Sequence, residues 1–157
     1  MNEFMSRERL EEIFDLATRE VIQEEAGISL QSYDTAPRGE LCTVYTAFNR
    51  GYHTSLSLCA EESMFIRLAR HMMQQEEVTP QEVELYAKES FNVLCGHIAS
   101  RLYQITKIPA RFKIPSFHRG RYVPDDHLEH IVLTYSSDKN EGAQLIHYAL
   151  SADSAGQ

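Results

Sequence analysis

Glu89 and Asn92 are the two residues of this 157-residue chain whose types and spacing best suit a chemical role. They stand three positions apart in the segment ESFNVLCGH, residues 89–97, in which Gly96 follows. Residues three apart on a helix are neighbours, so a carboxylate and a carboxamide would lie side by side there. Such a stripe is either ordinary solvated surface or a working site.

The helix that carries this stripe is the best-marked element of the sequence. Thr79, Pro80 and Glu82 form a capping box with proline at the first helical position, and Pro109 ends any continuation. We therefore predict a helix over residues 80–105. At 100° per residue, its apolar residues gather on one buried side, with two at the margin: Val83, Ala87, Leu94, Ile98 and Ile105, then Phe91 and Leu102.

The opposite side of this helix is predicted to face solvent. Its residues, which we call the outer ridge, are Leu85, Glu89, Asn92, Gly96 and Tyr103. A glycine in mid-helix costs roughly 1 kcal/mol relative to alanine, which suggests that Gly96 allows something to approach closely. Leu85 and Tyr103 add apolar surface around the two polar groups, as on a docking surface.

The remaining elements predict an α+β fold. Two more helices, over 4–25 and 60–75, show one apolar face each, and Gly27 is a plausible stop for the first. Strands are predicted over 28–33, 41–48, 52–59, 110–117, 130–136 and 144–150. Leu56 and Leu58 alternate with serines, which predicts a half-buried strand. The order αβββααβββ indicates a mainly antiparallel six-stranded sheet with helices on one face, in a single domain with its core at about 8–151 and a flexible tail over 152–157.

Composition narrows the class of protein. The net charge of −8 argues against nucleic acid or an anionic membrane as a partner, because both attract Lys and Arg. The three cysteines, Cys42, Cys59 and Cys95, lack metal-type spacing and read as reduced, buried thiols. No apolar signal segment or membrane-span candidate occurs. We expect a soluble cytoplasmic protein.

Two other groups of residues are of types that could bind a metal or act in catalysis. The sequence DDHLEH, from Asp125 to His130, has acids and histidines that a divalent ion could use, but no second set of ligands has zinc-protease spacing. Cys95 and His97 are two apart, so on a helix they do not face each other. No glycine-rich phosphate loop or nucleophile-elbow motif is present.

The spacing from Asn92 leads to a family resemblance. Glu89 and Asn92 give the pattern ExxN, and 22 residues separate Asn92 from Pro115. This pattern resembles the signature of the CheC/CheX/FliY phosphatases of bacterial chemotaxis, and the order of elements over about 10–150 resembles the CheX branch. The segments that carry the likeness are ATREVIQEEAGI (17–28), SLCAEESMFIRLARHMM (57–73), ESFNVLCGHIASRL (89–102) and FKIPSFHRG (112–120).

The resemblance implies hydrolysis of the aspartyl phosphate on a CheY-type response regulator, within two-component signalling. Asn92 would position the attacking water and Glu89 would pair with a lysine of the regulator, while Mg²⁺ would come with the regulator and the chain would need no metal or cofactor of its own. Gly96 would let the regulator approach, and Pro115 would shape the neighbouring strand end.

The resemblance also sets limits and further expectations. Family members usually have Asp or Ser where this chain has Leu85, so its activity is expected to be weakened, retuned or lost. His97 stands where family members commonly have Asn after the glycine. Lys88, with Arg101 and Arg111, would offset the chain's negative charge at the regulator. A homodimer is expected, as for CheX proteins, and a non-catalytic regulator-binding or dimerisation module remains the alternative function.

Overall fold

The computed structural model describes residues 5–49, 54–125 and 127–150. The strands predicted over 41–48 and 52–59 flank Asn49, Arg50 and Gly51, a short glycine-bearing loop that predicts a β-hairpin. Arg50 and Gly51 of this loop, and the predicted tail over 152–157, lie outside this part of the chain. The elements are α1 (Arg7–Ala26), β1 (Leu30–Ser32), β2 (Leu41–Asn49), β3 (Thr54–Glu61), α2 (Glu62–Met73), α3 (Pro80–Thr106), β4 (Arg111–Phe112), β5 (Ser116–Arg119), β6 (His127–Ser137) and β7 (Gly142–Leu150).

Local sequence signals account for the ends of α1. The Ser6 hydroxyl accepts a hydrogen bond from the Arg9 amide at 3.1 Å, which caps the first turn. Gly27 ends the helix in the left-handed conformation at φ 65°, as predicted. A side chain at Gly27 would also meet the His71 ring, because an added Cβ would lie 3.0 Å from it.

All described strand pairs are antiparallel, and the sheet order is β1-β6-β7-β3-β2-β4, with β5 also paired to β2. β4 pairs with Phe48 and Asn49 of β2, whereas β5 pairs with residues 42–45. The two short strands therefore lie in line along one side of β2, and seven strands fill six positions. The prediction of a single strand over 110–117 is wrong, because the strand is interrupted before β5. Pro115 lies in this interruption and has no amide hydrogen to donate to the ladder.

The three helices cover one face of the sheet, as the α+β prediction requires. The core beneath them joins strand residues such as Val44, Leu56 and Leu58 to helix residues such as Phe65 and Leu94. No helix in the described part of the chain has the length and apolarity needed to cross a membrane.

The β3 strand is buried on both faces, so the prediction that it is half-buried is wrong. Ser55 and Ser57, which alternate with the core leucines, are also buried. Cys42 and Cys59 are buried in the β2–β3 hairpin and Cys95 is buried in α3, and all three are free thiols as expected.

Candidate functional site

The α3 helix begins with the predicted capping box. The Thr79 hydroxyl accepts from the Glu82 amide at 3.1 Å, and the Glu82 carboxylate accepts from the Thr79 amide at 2.8 Å. The whole helix has 27 residues, and Lys107, which directly follows it, is in the left-handed conformation. Glu89 and Asn92 are the tenth and thirteenth of the 27 residues of this helix, near its middle, so intact helical turns on both sides fix their backbone positions.

The two sides of α3 divide as the helical periodicity predicts. The side toward the sheet is buried at Val83, Ala87, Ser90, Phe91, Leu94, Cys95, Ile98, Leu102 and Thr106, whereas Ile105 is half-buried. All five residues of the outer ridge are exposed. Leu85 and Tyr103 remain 50% and 49% exposed, which leaves substantial apolar surface beside the polar pair. The outer ridge is therefore exposed as predicted, and its use as a docking surface stays a prediction.

Glu89 and Asn92 are available to an outside molecule. Within residues 5–49, 54–125 and 127–150, neither side chain makes a hydrogen bond or an ion pair. A carboxylate accepts hydrogen bonds, and a carboxamide both donates and accepts them. The pair can therefore hold a cation and a water molecule at adjacent points of one surface.

Two parallel rows of side chains run along this part of α3. Residues four apart lie along one row of a helix surface, so Leu85, Glu89 and Val93 form one row. Lys88, Asn92 and Gly96 form the neighbouring row. Val93 is 37% exposed, and the sequence analysis did not include it in the site. The i+4 spacing from Glu89 was the signal that would have found it.

Gly96 has open space around it. An added Cβ would meet no atom within 4 Å outside its own helical turns, so nothing in the described fold requires a glycine here. Its cost in helix stability of roughly 1 kcal/mol is not offset by an internal contact. The prediction that Gly96 lets another molecule approach closely is compatible with this open space and stays a prediction.

The basic residues predicted to offset the negative charge are mostly engaged within the chain. The Lys88 ammonium lies 3.2 Å from the Glu84 carboxylate, and the Arg101 guanidinium lies 3.8 Å from Glu20 of α1. Arg111 is exposed in β4. The positive charge of Lys88, beside the site, is therefore already paired with the carboxylate of Glu84.

Pro115 lies at the break between β4 and β5 and is buried. β5 is in contact with α3, and its Phe117 ring packs edge-on against Phe65 of α2 at 6.1 Å between ring centroids. The proline is thus buried next to a strand that contacts α3 and is not on the exposed ridge.

The other constellations do not assemble among the residues that the structure describes. Cys95 is buried, which raises the pKa of its thiol far above the usual range, and His97 is exposed on another side of the helix. Among the described residues, no group of three or more histidines, cysteines and carboxylates could hold a metal. Asp126 of the DDHLEH segment lies outside these residues, and the His130 ring contacts His147 instead, with 3.1 Å between their Nδ1 atoms.

Comparison with known proteins gives one family match. The family model described as "Chemotaxis phosphatase CheX" matches residues 42–134, a range that includes Glu89, Asn92 and Pro115. No curated protein sequence matches significantly.

Several solved structures have the same fold. The chemotaxis protein CheX of Vibrio vulnificus has a TM-score of 0.71 at 16% identity, over 91% of this chain and 99% of that one. A complex of CheX, CheY, BeF₃ and Mg²⁺ from Borrelia burgdorferi gives 0.70 at 12% identity, over 89% and 96%. FliY of Thermotoga maritima gives 0.64 at 14% identity, over 92% and 87%. These likenesses confirm the predicted fold class.

Proposed function

Because the chain belongs to the CheX family of chemotaxis phosphatases, we propose that it hydrolyses the aspartyl phosphate of a CheY-type response regulator. The observation that carries this proposal is the pairing of Glu89 and Asn92 on the exposed side of α3, both without partners among the described residues. The complex from Borrelia burgdorferi, whose CheX shares this fold, contains a CheY protein, and this supports the choice of partner.

Asn92 would act on the attacking water. In the hydrolysis of an acyl phosphate, a water oxygen bonds to phosphorus, the bond between phosphorus and the aspartyl oxygen breaks, and a carboxylate and inorganic phosphate result. The reaction needs chiefly a water held in line with that bond and stabilisation of the charge. A carboxamide can hold the water through hydrogen bonds while remaining neutral at every physiological pH.

Glu89 would set the position of the regulator. A lysine of the regulator that pairs with the Glu89 carboxylate would form a charge-assisted hydrogen bond beside Asn92. No described cation of this chain competes for Glu89, since Lys88 is held by Glu84. Such a pair fixes the docking register, which decides whether the Asn92 amide reaches the phosphoryl group.

The residues around Glu89 and Asn92 would contact the regulator and would not take part in the hydrolysis. Leu85 offers half-exposed apolar surface one turn before Glu89, and Gly96 leaves clearance one turn after Asn92. Lys88 would exchange its bond to Glu84 for an acidic group of the regulator. Pro115 would act from beneath, by ending β4 and allowing β5 to pack under α3.

In this proposal the Mg²⁺ of the reaction belongs to the regulator, where it would stabilise the charge on the phosphoryl group. The Borrelia burgdorferi complex contains Mg²⁺ together with BeF₃ and CheY. The residues of the outer ridge offer one carboxylate, which is too few for a metal site of its own.

We further propose that the protein is a homodimer, as its resemblance to CheX suggests. Light scattering at micromolar concentration should give twice the 18.0 kDa mass of one chain. A mass of one chain under those conditions would contradict the dimer without affecting the proposed chemistry.

The phosphatase activity is tested with purified CheY-type regulators from the same organism, each phosphorylated with acetyl phosphate. After the excess phosphodonor is removed, the decay of the phosphorylated regulator is followed with and without this protein. Faster decay with at least one regulator supports the proposal. Unchanged decay of a regulator that nevertheless binds the protein would support the alternative, a non-catalytic binding module, for which the apolar Leu85 is the favouring observation.

A further inference from the structure

One edge of the sheet is open at β5. Among the described strands β5 pairs only with β2, and β4 lies in line with it on the same side of β2; we call residues 111–119 the β4–β5 edge. The Gly120 amide donates to the Leu41 carbonyl at 2.7 Å, and the amides of a strand point alternately to its two sides, so those of Phe117 and Arg119 point away from β2. Unpaired N–H and C=O groups along an edge are a template for an added strand.

The β4–β5 edge lies in a basic stretch of an acidic chain. The whole chain has a net charge of −8, yet residues 107–124 contain five lysines and arginines and no aspartate or glutamate. The basic residues of the edge itself are all exposed: Arg111, Lys113, His118 and Arg119. Arg111 lies opposite Asn49 and Arg119 lies opposite Cys42, which spreads the row over about 23 Å along β2. The open edge is therefore lined by basic side chains.

Two of these charges are not neutralised by the described part of the chain. Arg111 and Lys113 make no ion pair with residues 5–49, 54–125 or 127–150. The Arg119 guanidinium lies 2.9 Å from the Glu62 carboxylate, and both side chains are partly exposed, so a second carboxylate can share this guanidinium. A carboxylate that approaches the edge therefore meets two unneutralised cations and a third that is half-engaged.

Ile114 adds apolar surface between the basic residues. Its side chain is 90% exposed, which is the highest value for a large hydrophobic residue in the described part of the chain. A cavity of about 210 Å³ opens beside it, onto the rings of Tyr45 and Tyr122 and onto Pro124. An apolar side chain that covered Ile114 and entered this cavity would be removed from water. An added strand with both acidic and apolar residues would therefore complement the edge.

The charges of the edge select its occupant. A second copy that paired through this edge would bring its own lysine and arginine side chains against the same residues, and like charges opposite each other destabilise a strand pair. Pro115 also lacks a donor for such a ladder. Basic side chains on an edge strand are a common defence against self-association. The same side chains attract a strand of the opposite charge.

We propose that the β4–β5 edge binds an extended acidic peptide segment of a partner protein. The segment adds to β5 as a further strand, through the backbone groups of Phe117 and Arg119. Its carboxylates lie beside Arg111 and Lys113, and one of its apolar side chains covers Ile114. The edge contains no residue of the outer ridge, so this proposal and the proposed phosphatase function can fail independently.

The first test uses the full chain and a short fluorescein-labelled peptide of alternating glutamate and valine. Fluorescence anisotropy at low salt should give a saturable binding curve, and a peptide of alternating lysine and valine should bind at least about tenfold more weakly. A single-stranded oligonucleotide of the same charge should also bind at least about tenfold more weakly, because it has no peptide backbone to pair with β5. Absence of saturable binding, or equal affinity for the lysine peptide or the oligonucleotide, would overturn the proposal.

Hydrogen exchange tests the strand addition itself. In ¹⁵N-labelled protein, the amides of Phe117 and Arg119 should exchange at least about tenfold more slowly when the glutamate peptide is bound, while the exchange of the Glu89 amide stays the same. Unchanged exchange of both edge amides in the presence of bound peptide would overturn the proposal. Strong protection of both amides before the peptide is added would show that a second copy already occupies the edge, and would overturn it as well.

Variants of the basic residues test the charge complementarity. Arg111→Gln and Lys113→Gln should each weaken binding of the glutamate peptide about threefold, and the double variant about tenfold. Lys139→Gln, which removes an exposed lysine in the β6–β7 turn, is the matched control and should bind as the original protein does. All three side chains are exposed, so each variant should fold. Unchanged affinity in the double variant, or an equal loss in Lys139→Gln, would overturn the proposal.

Discussion

Lys88 donates to Glu84 at 3.2 Å, one helical turn before Glu89, and both side chains are partly exposed. The pair is an ordinary i,i+4 contact and contributes roughly 0.3–0.5 kcal/mol to the helix. Its consequence for the proposed function is larger, because it neutralises the basic residue nearest to Asn92. Lys88 would have to leave Glu84 before it could bind an acidic group of the proposed regulator, so the pair would weaken its contribution to docking.

Glu84→Gln should release Lys88 and strengthen binding of an acidic CheY-type regulator about twofold at low salt. The gain should disappear at high salt, because exposed charges are screened. The measurement is the dissociation constant at two ionic strengths. Glu11→Gln makes the same change in charge at the start of α1, where Glu11 pairs with Arg7. An equal gain in that control would mean that net charge, and not Lys88, sets the affinity.

Leu85→Ser should raise KM for the phosphorylated regulator about fivefold and leave kcat unchanged. Half of the leucine side chain is exposed, and covering that area is worth roughly 1 kcal/mol. Leu16→Ser is the matched control, since Leu16 is 46% exposed on α1 and lies outside the ridge. A higher kcat in Leu85→Ser would contradict the contact role and would show that this leucine restrains the chemistry.

Acid should destabilise the fold through His147. Burial lowers the pKa of its imidazole to about 3, and the nearby charge of His130 acts in the same direction. Since the pKa in the folded state lies below the ordinary 6.5, the stabilisation is complete above pH 6.5 and is lost as the pH falls toward 3. Lowering the pH to 5 should cost about 2 kcal/mol from this residue.

Urea unfolding at pH 7.5 and pH 5 measures this effect. His147→Leu should lose about 2 kcal/mol less than the original protein over that interval, whereas the exposed variant His97→Gln should lose the same as the original. Among the described residues, Arg7 and Glu11 of α1 are the charged groups that act on His130. Equal losses in His147→Leu and the original protein would contradict the assignment to His147.

Arg67 ties α2 to the β6–β7 turn, and its removal should destabilise the fold by about 3 kcal/mol. Its guanidinium lies 2.7 Å from Glu141 and 2.8 Å from Asp138. Glu141 is buried, and Arg67→Ala would leave its carboxylate without a cation. In thermal unfolding, Arg67→Met combined with Glu141→Gln should be milder than Arg67→Ala. A double variant as unstable as the single one would contradict this explanation.

The outer ridge was predictable from sequence because its causes are local. The capping box at Thr79 fixes where α3 begins, and helical periodicity then places Glu89 and Asn92 opposite the apolar stripe. The Lys88–Glu84 pair follows from the i,i+4 rule as well, since the two residues are four apart on the predicted helix. Val93 is exposed and carries no signal by its type, and only its i+4 spacing from Glu89 places it beside the pair.

The other features depend on contacts between distant segments. The alternation around Ser55 and Ser57 predicts a strand with one solvent-exposed face. That face is covered by the loop that contains Tyr122, which is more than 60 residues further along the chain. Likewise, the segment 110–117 alternates like one strand. Pro115 by itself predicts an edge strand or a strand end there, and only the pairing with β2 shows that the segment forms two short strands. Local patterns hold no information about which segment will cover a face.

The most direct test of the proposed function is the decay rate of a phosphorylated CheY-type regulator in the presence of Asn92→Ala. This variant should slow the assisted decay at least about a hundredfold, because the water is no longer held in line. It should still bind the BeF₃-treated regulator within about twofold, since Glu89 remains. Gln104→Ala, which removes another exposed amide of α3, should act like the original protein. Equal decay rates with the original protein and with Asn92→Ala would contradict the account.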